Sequence, residues 1–128
     1  MAHILVMDDM DDMRMLYEDV LGNWGHQVTA FDDAAPALSG VDFSKIDLVI
    51  TDLQMPTCGK LAIRTIRAWG HQVPIIVISG HVVMSEYDEL YRLGAQVVMT
   101  KPINFKAFRQ NIANLLFLKQ VSTMGGAK

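Results

Sequence analysis

Four places in the chain set reactive side chains directly behind short apolar runs. Asp8 and Asp9 follow Ile4–Met7, and Asp52 follows Ile46–Ile50 by way of Thr51. Ser79 and Gly80 follow Val73–Ile78, and Thr100-Lys101-Pro102 follows Val97–Met99. Together they offer three carboxylates, a hydroxyl and an ammonium. Three carboxylates held close repel one another, and a divalent cation offsets that repulsion. Mg²⁺ suits them, because it takes oxygen ligands, keeps several waters, and needs only one or two carboxylates besides phosphate oxygens. A carboxylate can also attack phosphorus and form an aspartyl phosphate. In such a transfer the protein mostly positions groups and neutralises equatorial charge. Ser79 and the Gly80 amide can donate to phosphoryl oxygens, and Lys101 can neutralise one.

These residues can meet only if the apolar runs are strands of one sheet. Ile46–Ile50 and Ile75–Ile78 are rich in β-branched residues and almost unbroken, as strands covered on both faces are. A fifth run, Val28–Phe31, lies between the first and third. The intervening segments carry helical spacing: Leu16, Tyr17, Val20 and Leu21 before Gly22 and Gly25; Leu61, Ile63, Ile66 and Trp69 before Gly70; Tyr87, Leu90 and Tyr91 before Gly94. The last helix is marked by Phe105, Phe108, Ile112, Leu115 and Leu116, and Asp33–Ser39 gives a short one. Such alternation predicts an α/β fold, a parallel sheet with helices on both faces and right-handed crossovers. The expected topology is flavodoxin-like and doubly wound, (βα)5, with strand order 2-1-3-4-5. Ligands of such sheets bind beyond the carboxyl ends of the strands, where the reactive residues stand. One domain is expected over residues 1–119, with a flexible tail over 120–128.

Composition narrows the class. The 128 residues are 51% hydrophobic and 20% charged, which excludes a disordered chain. A net charge of -3 argues against direct nucleic-acid binding. No apolar run approaches the ~20 residues that span a bilayer, so no membrane role is expected. A single cysteine, Cys58, and an N-terminus without a signal peptide point to the cytoplasm. The charge is asymmetric, with eleven of the fourteen acidic residues within the first 52.

Other residues read more plainly. Asp11 and Asp12 are expected to cap the first helix, as Asp32 and Asp33 do the second. The four histidines lack ligand spacing, and Cys58 has no histidine partner nearby. The nine methionines read as core filler and helix surface. Gly59-Lys60 fails as a phosphate-binding loop, because Leu61 stands where a hydroxyl is required.

Taken in order, Ile4-Leu5-Val6-Met7-Asp8-Asp9, Asp52-Leu53-Gln54-Met55-Pro56, Ile78-Ser79-Gly80, and Gly94-Ala95 leading to Lys101-Pro102 resemble the receiver domain of two-component response regulators, in single-domain, chemotaxis-regulator-like form. The resemblance runs over residues 3–119. It implies that Asp52 is the phosphoacceptor and also binds Mg²⁺, with Asp9 a direct metal ligand and Asp8 acting through water. Gln54 would offer its backbone carbonyl to the metal. Ser79 would be the switch hydroxyl, Gly80 would bind the phosphoryl group, and Lys101 would pair with a phosphoryl oxygen next to a cis bond to Pro102. Two positions depart from the family. Val98 stands where the aromatic switch residue belongs, and valine has no ring to swing. Lys60 stands at the usual glycine, so Gly59 is expected to absorb the turn one position early. His81 and Gln54 occupy the positions that tune phosphoryl lifetime.

The implied function is phosphorelay signalling without turnover of an external substrate. A sensor histidine kinase or histidine phosphotransfer protein would phosphorylate Asp52. The surface of the fourth helix, fifth strand and fifth helix would then switch toward a downstream protein or a phosphorylation-dependent dimer. Two alternatives share part of the pattern. A phosphate-independent pseudo-receiver would account for Val98. A haloacid-dehalogenase-like phosphatase would use Asp9 and Asp11, but Asp12 and Met13 replace the residues expected next, and such an enzyme would turn over a small phosphate ester.

Overall fold

Every apolar run becomes a strand and every periodic segment a helix. The computed structural model describes residues 1–126, with side chains through Val121. The elements run β1 (His3–Met7), α1 (Asp11–Asn23), β2 (Gln27–Phe31), α2 (Ala34–Gly40), a 3-10 turn (Phe43–Lys45), β3 (Leu48–Thr51), α3 (Gly59–Ala68), β4 (Ile75–Ser79), α4 (Met84–Leu93), β5 (Val97–Thr100) and α5 (Phe105–Gly126). The five strands are parallel in the order β2-β1-β3-β4-β5, the flavodoxin-like arrangement.

Strand alternation divides the core in two. Leu5, Met7, Val49, Ile75 and Val77 face a layer formed by α2, α3 and α4, where Ala34, Ala37, Ala62, Ile63, Ile66 and Leu90 are buried. Ile4, Val6, Leu48, Ile50, Ile76 and Ile78 face α1 and α5 through Tyr17, Leu21, Phe108 and Ile112. Tyr17 and Trp24 both lean on Phe108, with ring centroids 6.0 and 5.8 Å away.

Several boundaries differ from the sequence expectation. Ile46 precedes β3 instead of opening it, because the 3-10 turn ends there and Asp47 is drawn to the backbone of His3. Pro74 has no N–H to give a neighbouring strand, so β4 begins at Ile75, although the Pro74 carbonyl still accepts the Val49 N–H at 2.9 Å. Within α3 the inward face is Ala62, Ile63 and Ile66, whereas Leu61 and Trp69 are about half exposed. The last helix runs from Phe105 through residue 119 to Gly126, and Ala127 and Lys128 lie outside the described residues.

Candidate functional site

The carboxyl ends of β1, β3, β4 and β5 form one rim, and the side chains there are tightly cross-linked. Asp8 is buried behind β1; its Oδ1 accepts the Met10 N–H at 2.9 Å and its Oδ2 accepts Lys101 Nζ at 3.0 Å. Asp52 is buried behind β3; its Oδ1 accepts the N–H groups of Leu53 and Gln54 at 2.6 and 3.2 Å. Its Oδ2 accepts Lys101 Nζ at 2.8 Å. Asp9 is exposed at the lip, and one oxygen from each of Asp8, Asp9 and Asp52 lies within 4.8 Å of the others. The Lys101–Pro102 bond is cis.

Charge in this pocket is finely opposed. Burial pushes the Asp8 carboxyl up, the Met10 amide and Lys101 pull it down, and nearby Asp52 adds a further push, leaving it raised above the ordinary 3.8. Burial alone would lower the Lys101 ammonium. Its bonds to Asp52 and Asp8 outweigh that and hold it above its ordinary value.

Ser79 ends β4 with its hydroxyl buried and unpaired, the sole such side-chain atom among the described residues. Its carbonyl accepts the Lys101 N–H at 2.9 Å, which fixes β5's exit beside β4. Gly80 is exposed just beyond, and Gln54 is exposed on the loop after Asp52. Val98 lies elsewhere. It pairs with Val77 and packs, half-buried, into the layer under α2, α3 and α4.

The donor set fits a hard divalent cation: three carboxylates at one lip, one of them exposed, with a lysine already balancing two of them. Asp8, Asp9 and Asp52 are the carboxylates that could hold such an ion.

Other contacts at the rim escaped the sequence reading. Arg14, one turn into α1, donates from Nη1 to the Asp8 carbonyl at 2.7 Å and pairs with Asp11. Asp11 is therefore turned to Arg14 and 84% exposed in its side chain, outside the acidic cluster that a phosphatase would need it to join. Neither Asp11 nor Asp12 caps α1. Both sit in its first turn, behind Met10 at the cap position. Asp33 does occupy the cap position of α2, but its carboxylate reaches away to Thr57. Gly59 opens α3 so close to β3 that a Cβ there would stand 2.1 Å from the Asp52 carbonyl oxygen. The expectation that glycine is needed one position before Lys60 thus has a steric cause.

Comparison with known proteins agrees with this fold. Residues 4–113 match the model of the response regulator receiver domain family. The chain is 30% identical over 111 residues to the sensor histidine kinase RcsC of Salmonella typhi, covering 86% of this chain but 12% of that kinase. It is 32% identical over 102 residues to the transcriptional regulatory protein FixJ of Bradyrhizobium diazoefficiens, covering 79% of this chain and 50% of FixJ. It thus spans half or less of these curated relatives. Among solved structures, a response regulator receiver domain protein from Clostridium thermocellum superposes with a TM-score of 0.87 at 25% identity, covering 94% of this chain and 98% of that one. The chemotaxis protein CheY4 of Vibrio cholerae gives 0.82 at 23% identity, over 90% and 98%.

Proposed function

The chain belongs to the receiver-domain family of two-component response regulators, and on that premise we propose that Asp52 accepts a phosphoryl group from the phosphohistidine of a sensor kinase or phosphotransfer protein. An Asp52 carboxylate oxygen forms the new O–P bond as the P–N bond to the donor imidazole breaks, and the imidazole leaves with the electron pair. Mg²⁺, when bound, supplies positive charge to the phosphoryl oxygens and relieves repulsion among Asp8, Asp9 and Asp52. Lys101 exchanges its bonds to Asp8 and Asp52 for one to a phosphoryl oxygen. The Ser79 hydroxyl gains the acceptor it lacks, and the Gly80 amide offers a second donor. The observation that carries this reading is the convergence of three carboxylate oxygens within 4.8 Å, a lysine bridging two of them, and a sealed, unpaired hydroxyl on the adjoining strand.

The phosphoryl group carries about 1.5 to 2 negative charges in place of the single charge of the Asp52 carboxylate, a net gain of about 0.5 to 1 beside Lys101 and Ser79. The response is read through α4, β5 and α5, with Ser79 as the moving group and Val98 as a passive aliphatic wall. This favours a switch carried by loop and helix displacement over one carried by a ring. The downstream partner is a protein, and residues 1–119 act as the receiver unit.

Intact-mass analysis with a small acyl phosphate tests the reading. The expected result is one phosphoryl adduct that requires Mg²⁺ and disappears in Asp52→Asn. Labelling of that variant to wild-type level would overturn it.

A further inference from the structure

The loop from Asp52 to Gly59 is pinned at both ends. Asp52 holds the Leu53 and Gln54 amides, and the Gly59 N–H donates to the Leu53 carbonyl at 3.1 Å. The arch between carries Gln54, exposed, and Met55, half-buried against the core. Its farther limb is held from another strand. Asp33, two residues beyond β2, accepts the Thr57 N–H on Oδ1 at 2.7 Å and the Thr57 hydroxyl on Oδ2 at 2.8 Å. Both bonds are charge-assisted, roughly twice as strong as neutral ones. Slight burial raises the Asp33 carboxyl, but the two Thr57 bonds, helped by the Ala34 and Ala35 amides at the start of α2, outweigh it and hold the group below its ordinary range. An N-cap aspartate would ordinarily spend those lone pairs on its own helix; Asp33 closes no cap bond of good geometry, and the nearby Ala34 and Ala35 amides act on its carboxylate less than Thr57 does.

We propose that Asp33 is a positioning residue for the metal half of the site, its two-point grip on Thr57 setting the arch that presents the Gln54 carbonyl. The inference rests on the phosphoacceptor reading above. Groups that orient metal ligands without touching the metal typically contribute about 10–100-fold in affinity, and a grip acting through one carbonyl belongs at the lower end.

The test is calorimetric titration of the metal-free protein with Mg²⁺ alone, paired with amide hydrogen exchange across residues 54–58. Asp33→Ala should bind Mg²⁺ about tenfold more weakly and exchange faster at Gln54 and Thr57. Asp33→Asn removes the charge but keeps an acceptor for the Thr57 N–H and a donor for its hydroxyl, so with neutral bonds in place of charge-assisted ones it should fall between wild type and Asp33→Ala in both readouts. Equal weakening in both variants would mean that only the charge at position 33 matters, and unchanged affinity in Asp33→Ala would mean that it does nothing; either overturns the proposal. If Asp33→Ala does not fold, Thr57→Ala removes one of the two bonds at unchanged charge: weaker Mg²⁺ binding supports the proposal and unchanged binding overturns it. The two readings fail separately, because Mg²⁺-dependent labelling of the wild type alongside normal binding by Asp33→Ala rejects only the role of Asp33. A wild type that binds no Mg²⁺ and takes no phosphoryl group rejects both.

Discussion

Sealing a hydroxyl away from water without a partner costs about 1–3 kcal/mol, and Ser79 is so sealed. Ser79→Ala should therefore stabilise the unphosphorylated protein by about 1 kcal/mol, seen as a higher urea midpoint, while blunting any structural change on phosphorylation. A lower midpoint would mean that the hydroxyl is satisfied in solution. The residues that could be read from sequence are those whose position relative to a strand end determines their place: Asp8, Asp9, Asp52, Ser79 and Lys101 each stand within two residues of the end of an apolar run. Asp33 and Arg14 could not be read this way. The partner of Asp33 lies 24 residues on, across the gap between two strands, and nothing in a local pattern separates such a carboxylate from a helix cap. Gly59 was half legible, since an early glycine hinted at a turn, while the close approach of the Asp52 carbonyl that demands it is visible only in three dimensions.

At the scale of elements, α3 grips α4 at both ends. Lys60, in the first turn of α3, reaches Glu86 and Glu89 at 3.0 and 2.8 Å, and the bonds to Glu89 and Glu86 hold its ammonium above its ordinary range. One helical face further along, Arg67 donates to the carbonyls of His71 and Gly94 at 2.8 and 2.7 Å. Gly94 ends α4 at φ 123°, and a Cβ there would also meet the Arg67 side chain at 2.6 Å. Lys60 follows Gly59, which abuts Asp52, so the start of α3 links the end of β3 to α4. Lys60→Met should raise amide exchange in the first two turns of α4 and leave β5 unchanged. Exchange no different from wild type would show that solvent already loosens these ion pairs, as it does at many surfaces. The helices themselves were legible because apolar spacing marks them, but this clamp was not, since it depends on which helices lie side by side.

For the molecule as a whole, acid should act in two opposed steps. The Asp8 pKa is raised by folding above 3.8, so ionised Asp8 costs stability at neutral pH, and that cost is relieved as the pH falls through the raised value. The Asp33 and Asp47 pKa values are lowered by folding. Their contribution is complete above 3.8 and is lost as the pH falls through their lower folded values. Although burial raises Asp47, it accepts Lys119 Nζ at 2.7 Å and the His3 N–H at 2.8 Å, tying β1, β3 and α5 together at the end of the sheet remote from Asp52. Asp47→Asn should therefore flatten the loss of stability below about pH 3.8 and leave the Asp8 step intact, as urea unfolding across a pH series would report; an unaltered acid limb would remove Asp47 from this account. Parallel order and layer assignment followed from the βα alternation, whereas these long-range ties left no trace in it. The same polarity places both tryptophans. Trp24 and Trp69 each close a helix that runs antiparallel to the strands, one beneath Arg109 and the other beside Phe43. Their indoles are set at the pole opposite the carboxylates, so the protein's own ultraviolet emission is a gauge of whether the chain is folded. It would register phosphate on Asp52 only through movement of α5 against Trp24.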